Sequence, residues 1–107
     1  MTDQDPRTYS WSKTAPKLEQ LTNDMLFDDV WERPGLPKRD RSLITVASLI
    51  ALYRPLALPF HFKLALDNGV TRDELVELVT HLALYAGWPC ATPAADILGD
   101  VFAELDR

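Results

Sequence analysis

Two histidines are the side chains of this 107-residue chain best suited to transfer a proton near neutral pH. His61 lies in the apolar segment 54–69, which opens on an Arg-Pro step and closes on a glycine. A polar ring in such a segment has two interpretations, an acid or base in a pocket or a satisfied core or interface residue. His81 lies beside the apolar stripe of a later segment, where Glu77, one helical turn earlier, is in position to pair with it.

Charge is distributed unevenly along the chain, whose formal net charge is −5. An acidic chain lacks the basic face that nucleic-acid binding requires, so we expect no nucleic-acid partner. The two charged clusters are either solvated polar faces or surfaces that meet a group of opposite charge. The basic cluster lies around the predicted connection between the first two helices, and the acidic cluster lies at the C-terminal end. Their members are Arg33, Lys38, Arg39, Arg41 and Asp96, Asp100, Glu104, Asp106.

Cys90 is the single cysteine, so the sequence contains neither a CxxC motif nor a pair for an intramolecular disulfide. We expect it to be an inert, small apolar residue. No apolar run approaches the roughly 20 residues that a membrane span requires. The first residues lack the apolar core of a secretory signal, and we therefore expect a cytoplasmic protein with no membrane partner.

Helical periodicity predicts an all-α protein of five to six helices, with one domain over residues 16–107 and a flexible arm over residues 1–15. The clearest helix start is the capping box formed by Thr71 and Glu74. For the last helix, Thr92 is expected to be the N-cap and Pro93 the first helical residue. The predicted helices cover residues 16–32, 38–53, 58–68, 71–86 and 93–105.

The acidic residues of the last predicted helix recur at a spacing of four on one face. Like charges at this spacing repel, and Glu104 lies at the helix end where its charge opposes the helix dipole. The pattern therefore predicts a basic partner for this end of the chain.

Four features occur together in a characteristic order. They are RDRSLITVASLIAL, the spacing from it to His61, LDNGVTRDEL and HLALYAGWP. Together they resemble the carboxymuconolactone decarboxylase family, whose all-helical fold is shared with the alkylhydroperoxidase-like proteins. The resemblance runs from about residue 18 to residue 104. It implies a homo-oligomer in which helical hairpins form dimers, commonly assembled into hexamers as trimers of dimers. This agrees with the second and fourth predicted helices, which carry more apolar surface than one buried face of a helix needs.

One branch of this superfamily is redox-active and carries a CxxC motif that is separated from a following histidine by three residues, with a glutamate further upstream. If His61 is that histidine, the cysteine positions fall on Arg54 and Ala57 and the glutamate position on Ser42. All three functional residues are missing. Thiol peroxidase chemistry needs an attacking thiolate and a resolving thiol, so we do not expect this activity.

The decarboxylase branch implies loss of carbon dioxide from a small carboxylated lactone in aromatic-compound catabolism, without a metal or organic cofactor. The reaction needs a cation for a carboxylate, an apolar wall and a proton donor. His61 is the candidate general acid, and His81 with Tyr85 is expected to orient the substrate or stabilise the enolate. The substrate-binding candidates are three arginines and three aromatic residues: Arg39, Arg41, Arg54, Phe60, Tyr85 and Trp88.

Several of these assignments have a purely structural alternative. Arg39 and Arg41 can act as bridges to Asp40 or to acidic groups of the last helix. Tyr85 and Trp88 can act as packing residues. The competing function for the whole chain is a non-catalytic oligomer that binds a small acid or a hydrophobic ligand in the same pocket.

Overall fold

The computed structural model describes residues 7–107, and this part of the chain divides into two compact units between Leu36 and Pro37. The all-α prediction is confirmed, because residues 7–107 contain helices and turns but no strand. No helix within these residues is long and apolar enough to cross a membrane. The α-helices are Pro16–Leu21 (α1), Lys38–Ala51 (α2), Leu58–Asp67 (α3), Arg72–Ala86 (α4) and Trp88–Leu105 (α5).

The N-terminal unit contains a helix that changes its pitch. After α1 the chain continues in a π-helical turn, Thr22–Phe27, and then in a 3-10 turn, Val30–Glu32. The wider turn is closed by the N–H of Asp28, which donates to the carbonyl of Asn23 at 2.8 Å. The helix predicted over residues 16–32 is thus α-helical only over its first six residues, and the rest of the span is π-helical, 3-10 or turn.

Asn23, in the π-helical turn, is joined by its side chain to residues near the start of the described chain. Its side-chain oxygen accepts a hydrogen bond from the Tyr9 hydroxyl at 2.8 Å, and its amide donates to the carbonyl of Arg7 at 3.2 Å. The rings of Tyr9 and Trp11 stack with centroids 4.8 Å apart, and Arg7 pairs with Asp28 at 2.8 Å. Residues 1–6 lie outside the described residues, so the flexible arm over residues 1–15 stays a prediction.

The C-terminal unit packs its four helices around one core. α4 contacts α5 and α2, while α3 contacts α2 and α5. Fully burying a large apolar side chain contributes roughly 1.5–3 kcal/mol to the free energy of unfolding. The largest apolar side chains with almost no exposed surface are Phe62, Ile50, Leu58, Leu75 and Val46.

The start of α4 is confirmed at the predicted capping box. The Thr71 hydroxyl accepts from the N–H of Glu74 at 3.1 Å, and the Glu74 carboxylate accepts from the N–H of Thr71 at 2.9 Å. Gly69 precedes this start with φ 97°, a conformation that glycine adopts without steric cost. The turn between α3 and α4 is thus determined by local chemistry.

α5 begins five residues earlier than predicted, at Trp88 instead of Pro93. Pro89 takes the first-turn position that suits proline, so Pro93 lies inside the helix and lacks one backbone hydrogen bond. Thr92 is not the N-cap; its hydroxyl donates to the carbonyl one turn earlier at 3.0 Å. The prediction chose the wrong member of a pair of prolines spaced by four.

The acidic C-terminal end meets basic partners within the same unit. Lys63 pairs with Glu104 at 2.8 Å, and Arg72 pairs with Asp106 at 2.9 Å while lying 4.9 Å from the centre of the Phe102 ring. Hydrogen bonds from these basic groups lower the pKa of Glu104 and of Asp106. The expectation of a basic partner for Glu104 is confirmed, although such exposed pairs contribute little to stability.

α2 ends in an unusual backbone conformation. Tyr53 has φ 54°, in the left-handed region that costs a non-glycine residue roughly 1–2 kcal/mol. Its N–H donates to the carbonyl of Ile50 at 3.1 Å, and the N–H of Arg54 donates to the carbonyl of Leu49 at 2.8 Å. These bonds close the end of the helix in the manner that usually uses glycine.

Replacing Tyr53 with glycine is expected to raise the free energy of unfolding by roughly 0.5–1 kcal/mol, because glycine removes the steric cost of the left-handed conformation. The matched control is Ala51→Gly, in the last turn of the same helix, which is expected to lower stability by up to about 1 kcal/mol. Urea unfolding followed by circular dichroism measures both. Equal destabilisation by the two variants would show that contacts of the tyrosine ring outweigh the backbone strain.

Candidate active site

α3 holds His61 at the end of its first turn. The helix begins at Leu58, with Pro59 in the first turn, where its missing N–H removes no helical hydrogen bond. A 3-10 turn, Pro55–Ala57, precedes it. Because Leu58 and Phe62 point into the core, His61 remains half-buried at the edge of the core.

The His61 ring has a buried nitrogen without a partner. Nδ1 is inaccessible to solvent and forms no hydrogen bond within residues 7–107. The ring contacts Phe60 edge-to-face, with centroids 5.0 Å apart and planes at 86°. Buried polar atoms are nearly always hydrogen-bonded, so an unpartnered one calls for an explanation such as a catalytic role. Within the described chain, Nδ1 of His61 is therefore not satisfied as the core alternative requires, and the interface alternative stays a prediction.

Burial lowers the pKa of His61 below 6.5, since a half-buried site disfavours the charged imidazolium. The unfolded chain therefore binds this proton first as the pH falls below 6.5. The free energy of unfolding is expected to decrease as the pH falls from 6.5 through the lower pKa of the folded state, and this contribution then levels off. Thermal denaturation between pH 5 and pH 7.5, about the range in which histidine titrates, measures the slope.

The control for this prediction is a comparison of two histidine variants. His61→Gln is expected to flatten the slope, and His81→Gln is expected to retain it. Glu74, Glu104 and Asp106 have lowered pKa values, so they change the free energy of unfolding only near and below the ordinary values of 4.5 for Glu and 3.8 for Asp. They therefore do not affect the slope in the pH range where histidine titrates. A slope that disappears with His81 would contradict the prediction.

His81 and Tyr85 form a second histidine–aromatic pair, on α4. Their rings stack with centroids 4.7 Å apart and planes at 27°. Both side chains are exposed, Tyr85 at 78%. No ion pair joins Glu77 to His81 in the described part of the chain, so the pairing that the sequence left open is not formed there.

Two of the three candidate arginines lie on α2. Arg39 forms an ion pair with Glu74 of the capping box, and its guanidinium also lies 4.0 Å from Asp40. This pairing contributes to the lowered pKa of Glu74. The bridging alternative for Arg39 is therefore present in the structure. Arg41 is half-buried on the same helix, where its carbonyl accepts from the Thr45 hydroxyl at 2.8 Å.

Arg54 is the third candidate and lies between α2 and α3. Its Nη1 donates to the carbonyl of Leu52 at 2.7 Å and to that of Tyr53 at 3.3 Å. Unlike Arg39, it has no carboxylate partner among the described residues. Its positive charge is consequently available to an anion.

Trp88 opens α5 and lines a groove between α4 and α5. The groove is open to solvent, has a volume of about 330 Å³, and is walled by apolar side chains and two threonines. Neither His61 nor His81 contributes to these walls. No group of three or more His, Cys, Asp or Glu side chains in residues 7–107 is arranged to hold a metal ion. The complete lining is Val79, Thr80, Ala83, Leu84, Trp88, Ala91, Thr92 and Ala95.

Residues 16–100, which include all of these candidates, match the carboxymuconolactone decarboxylase family. The chain belongs to this family. The resemblance carried by the four sequence features is thus confirmed. This family member is 48% identical over 88 residues to the 4-carboxymuconolactone decarboxylase of Acinetobacter baylyi, in an alignment that covers 82% of this chain and 66% of the relative.

This carboxymuconolactone decarboxylase family member is also similar to two further proteins. A nitrosuccinic acid decarboxylase of Metarhizium robertsii is 40% identical over 81 residues, which are 76% of this chain and 56% of that protein. An uncharacterized 15.0 kDa protein of Paracoccus denitrificans is 29% identical over 98 residues, which are 89% of this chain and 72% of that protein. The chain thus spans less than two thirds of the length of both named decarboxylases.

The positions that correspond to the redox motif have other roles in this member of the family. Ser42 is buried, and its hydroxyl accepts from the Asn68 amide at 3.0 Å, which ties α2 to the end of α3. Arg54 binds helix-end carbonyls, and Ala57 ends the 3-10 turn. Cys90 is half-buried on α5. These contacts are structural and supply no thiol pair.

The structure places the predicted site residues in separate groups and does not bring them all together. His61 contacts Phe60, and His81 contacts Tyr85. Sequence reasoning missed Tyr53, because its left-handed conformation has no signal in the residue type. It also missed Leu56, an apolar side chain that is 97% exposed in the loop between α2 and α3.

Proposed function

We propose that this chain is a cofactor-free decarboxylase of a small carboxylated lactone or related acid, with His61 as general acid. The observation that carries the proposal is the buried, unpartnered Nδ1 of His61 on an apolar helix. Membership of the family supports the reaction type, because two relatives are named as decarboxylases.

The chemistry common to those two relatives supports the substrate class. Their named substrates are a carboxylated lactone and a nitro-substituted diacid. In such acids the carbon–carboxylate bond breaks, carbon dioxide leaves, and the electron pair is delocalised onto a carbonyl or nitro group. The carbanion then takes a proton. A protein that follows this route needs to bind an anion, exclude water and donate one proton.

His61 can donate that proton once the substrate is bound. In the free protein, burial lowers its pKa and favours the neutral ring. A carboxylate bound beside the ring acts in the opposite direction, because a negative charge stabilises the imidazolium. Substrate binding would thus protonate His61, and after protonation of carbon the ring would recover its proton from water.

The remaining candidates have supporting roles in this proposal. Phe60 contacts the His61 ring and can form part of the apolar wall. His81 and Tyr85 would orient the substrate or stabilise the enolate, a role that requires cover from another surface because both are exposed. Arg54 is a stronger candidate than Arg39 for the carboxylate, because Arg39 is paired with Glu74 whereas Arg54 has no carboxylate partner among the described residues. Arg41 stays a candidate.

A homo-oligomer, either a dimer or a trimer of dimers, is part of the proposal. Large apolar side chains on α4 and α5 support it, since Leu84, Tyr85 and Trp88 are all exposed in the isolated chain. Light scattering coupled to size-exclusion chromatography would determine the assembly. A monodisperse monomer would contradict this part of the proposal.

The test of the activity is a carbon dioxide release assay with purified protein and two substrates, 4-carboxymuconolactone and nitrosuccinic acid. Turnover of at least one is expected. A folded protein that releases no carbon dioxide from either would overturn the decarboxylase proposal.

The second candidate is a non-catalytic protein that binds a small hydrophobic ligand. The apolar groove of about 330 Å³ beside Trp88 favours it. Quenching of tryptophan fluorescence by an apolar ring compound, in a protein without turnover, would support this function over catalysis. Trp88→Leu, compared with Trp11→Leu, would show whether the quenching arises in the groove.

A further inference from the structure

The segment between α2 and α3 lines a groove of its own, which is open to solvent. About 320 Å³ lies among five consecutive residues, 53–57, directly before the helix that carries His61. This volume is at the lower end of the range for small-molecule sites, roughly 300–1,000 Å³. The groove combines one cation with apolar walls, which suits an acid with an apolar body.

Arg54 is held in this groove by one side of its guanidinium. Nη1 donates to the two carbonyls at the end of α2, at 2.7 and 3.3 Å, while Nε and Nη2 have no partner within residues 7–107. Neutral carbonyls orient the group without cancelling its charge. A guanidinium fixed in this way can present its other edge to both oxygens of a carboxylate with little loss of conformational freedom.

Tyr53 is the residue that turns the chain at this point. Its left-handed φ of 54° directs the backbone from α2 into the groove, and its own carbonyl is one of the two that hold Arg54. The tyrosine ring is 55% exposed and makes no hydrogen bond or ring contact in the described chain. Leu56, almost fully exposed, forms another part of the wall.

We infer that this groove binds a carboxylate of the substrate that is not lost in the reaction, with Arg54 as the anchor and Tyr53 as a positioning residue. Tyr53 holds the arginine through its backbone and packs its ring against the body of the ligand. The inference rests on the proposed function and deepens it: the substrate is an acid that keeps one carboxylate, and Arg54, rather than the Arg39 that pairs with Glu74, binds it.

The test is calorimetric titration of the full chain with the γ-lactone of 2-hydroxyglutarate, a stable lactone that carries one carboxylate. Butyrolactone, the same ring without the carboxylate, is the matched ligand control and is expected to bind at least about tenfold more weakly. Arg54→Gln is expected to weaken binding of the acid by at least about tenfold, whereas Arg33→Gln should change it by less than about twofold.

Two further variants separate positioning from folding. Arg54→Lys keeps the charge but cannot bind both oxygens in the same geometry, so an intermediate loss is expected. Tyr53→Gly keeps the left-handed backbone and removes the ring; Tyr53→Phe keeps the ring. In the carbon dioxide release assay, we expect the glycine variant to raise KM for the accepted substrate several-fold with little change in kcat. The phenylalanine variant should match the wild type in both constants. Circular dichroism confirms folding of each.

The outcomes distinguish this inference from the proposed function. Binding of the acid that is unchanged by Arg54→Gln, or no binding to the wild type, overturns the groove as a carboxylate site. Carbon dioxide release that is unaffected by Arg54→Gln overturns it as well, while leaving the decarboxylase proposal intact. Arginine-dependent binding in a protein without turnover supports the groove and refutes the decarboxylase proposal.

Discussion

Replacing His61 with alanine is expected to lower kcat/KM for the accepted substrate by about 10²–10⁴-fold, the usual contribution of a positioned general acid. His61 is the histidine whose ring is half-buried and whose Nδ1 lacks a partner among the described residues. His81 is exposed and stacked on Tyr85, so His81→Ala is expected to cost less, about tenfold or below. The two variants form a matched pair on neighbouring helices.

The pH dependence of the wild type provides an independent measure of the same assignment. If the protonated ring is the reactive form, kcat/KM falls as the pH rises through the pKa of His61 in the free protein, which burial places below 6.5. Progress curves of carbon dioxide release from pH 5 to pH 8, roughly the range of histidine titration, follow this profile. Full turnover in His61→Ala, or an equal loss in both alanine variants, would refute His61 as the general acid.

Replacing Phe62 with alanine is expected to lower the free energy of unfolding by about 3–5 kcal/mol, the cost of removing a phenyl ring from a closed core. Phe62 has no exposed surface and lies in the cluster that joins α3 to the other helices of the C-terminal unit. A folded domain has a total free energy of unfolding of only about 5–15 kcal/mol, so this loss would remove a large part of the stability.

Phe60→Ala is the matched control for this prediction, two residues earlier on the same helix. Its ring is 47% exposed, and its loss is expected to cost no more than about 1 kcal/mol, because much of its apolar surface is already in water. Urea unfolding of both variants gives the comparison. Similar losses at the two positions would show that α3 is not packed through Phe62. In turnover, by contrast, Phe60→Ala should have a measurable effect, since its ring contacts His61.

Local sequence signals determined much of the helical architecture. The capping box at Thr71 places the start of α4, and Pro59 restricts the start of α3. Both signals act within one helical turn, because a cap or a proline affects hydrogen bonds only three or four residues away. The same signals were ambiguous at α5, where Pro89 and Pro93 both suit a first turn, and a local pattern cannot choose between them.

Contacts between distant segments were decided only by the tertiary structure. Arg39 and Arg54 are equivalent candidates in the sequence, yet Arg39 meets Glu74, which lies 35 residues away, while Arg54 binds the end of its own preceding helix. The side chain of Asn23 likewise bonds to Tyr9 and to the backbone of Arg7, which lie 14 and 16 residues earlier. No spacing rule contains such contacts, because they arise from the packing of separate elements.

The chemistry of the site divides in the same way. The sequence alone identified the two histidines, the three arginines and the family, since residue types and their order are sufficient for these. Which histidine has a buried, unpartnered nitrogen, and where the backbone is strained at Tyr53, depend on the environment that the folded chain creates. Burial and backbone strain are properties of three-dimensional packing, which is why the tertiary structure was needed to rank residues that the sequence had presented as equals.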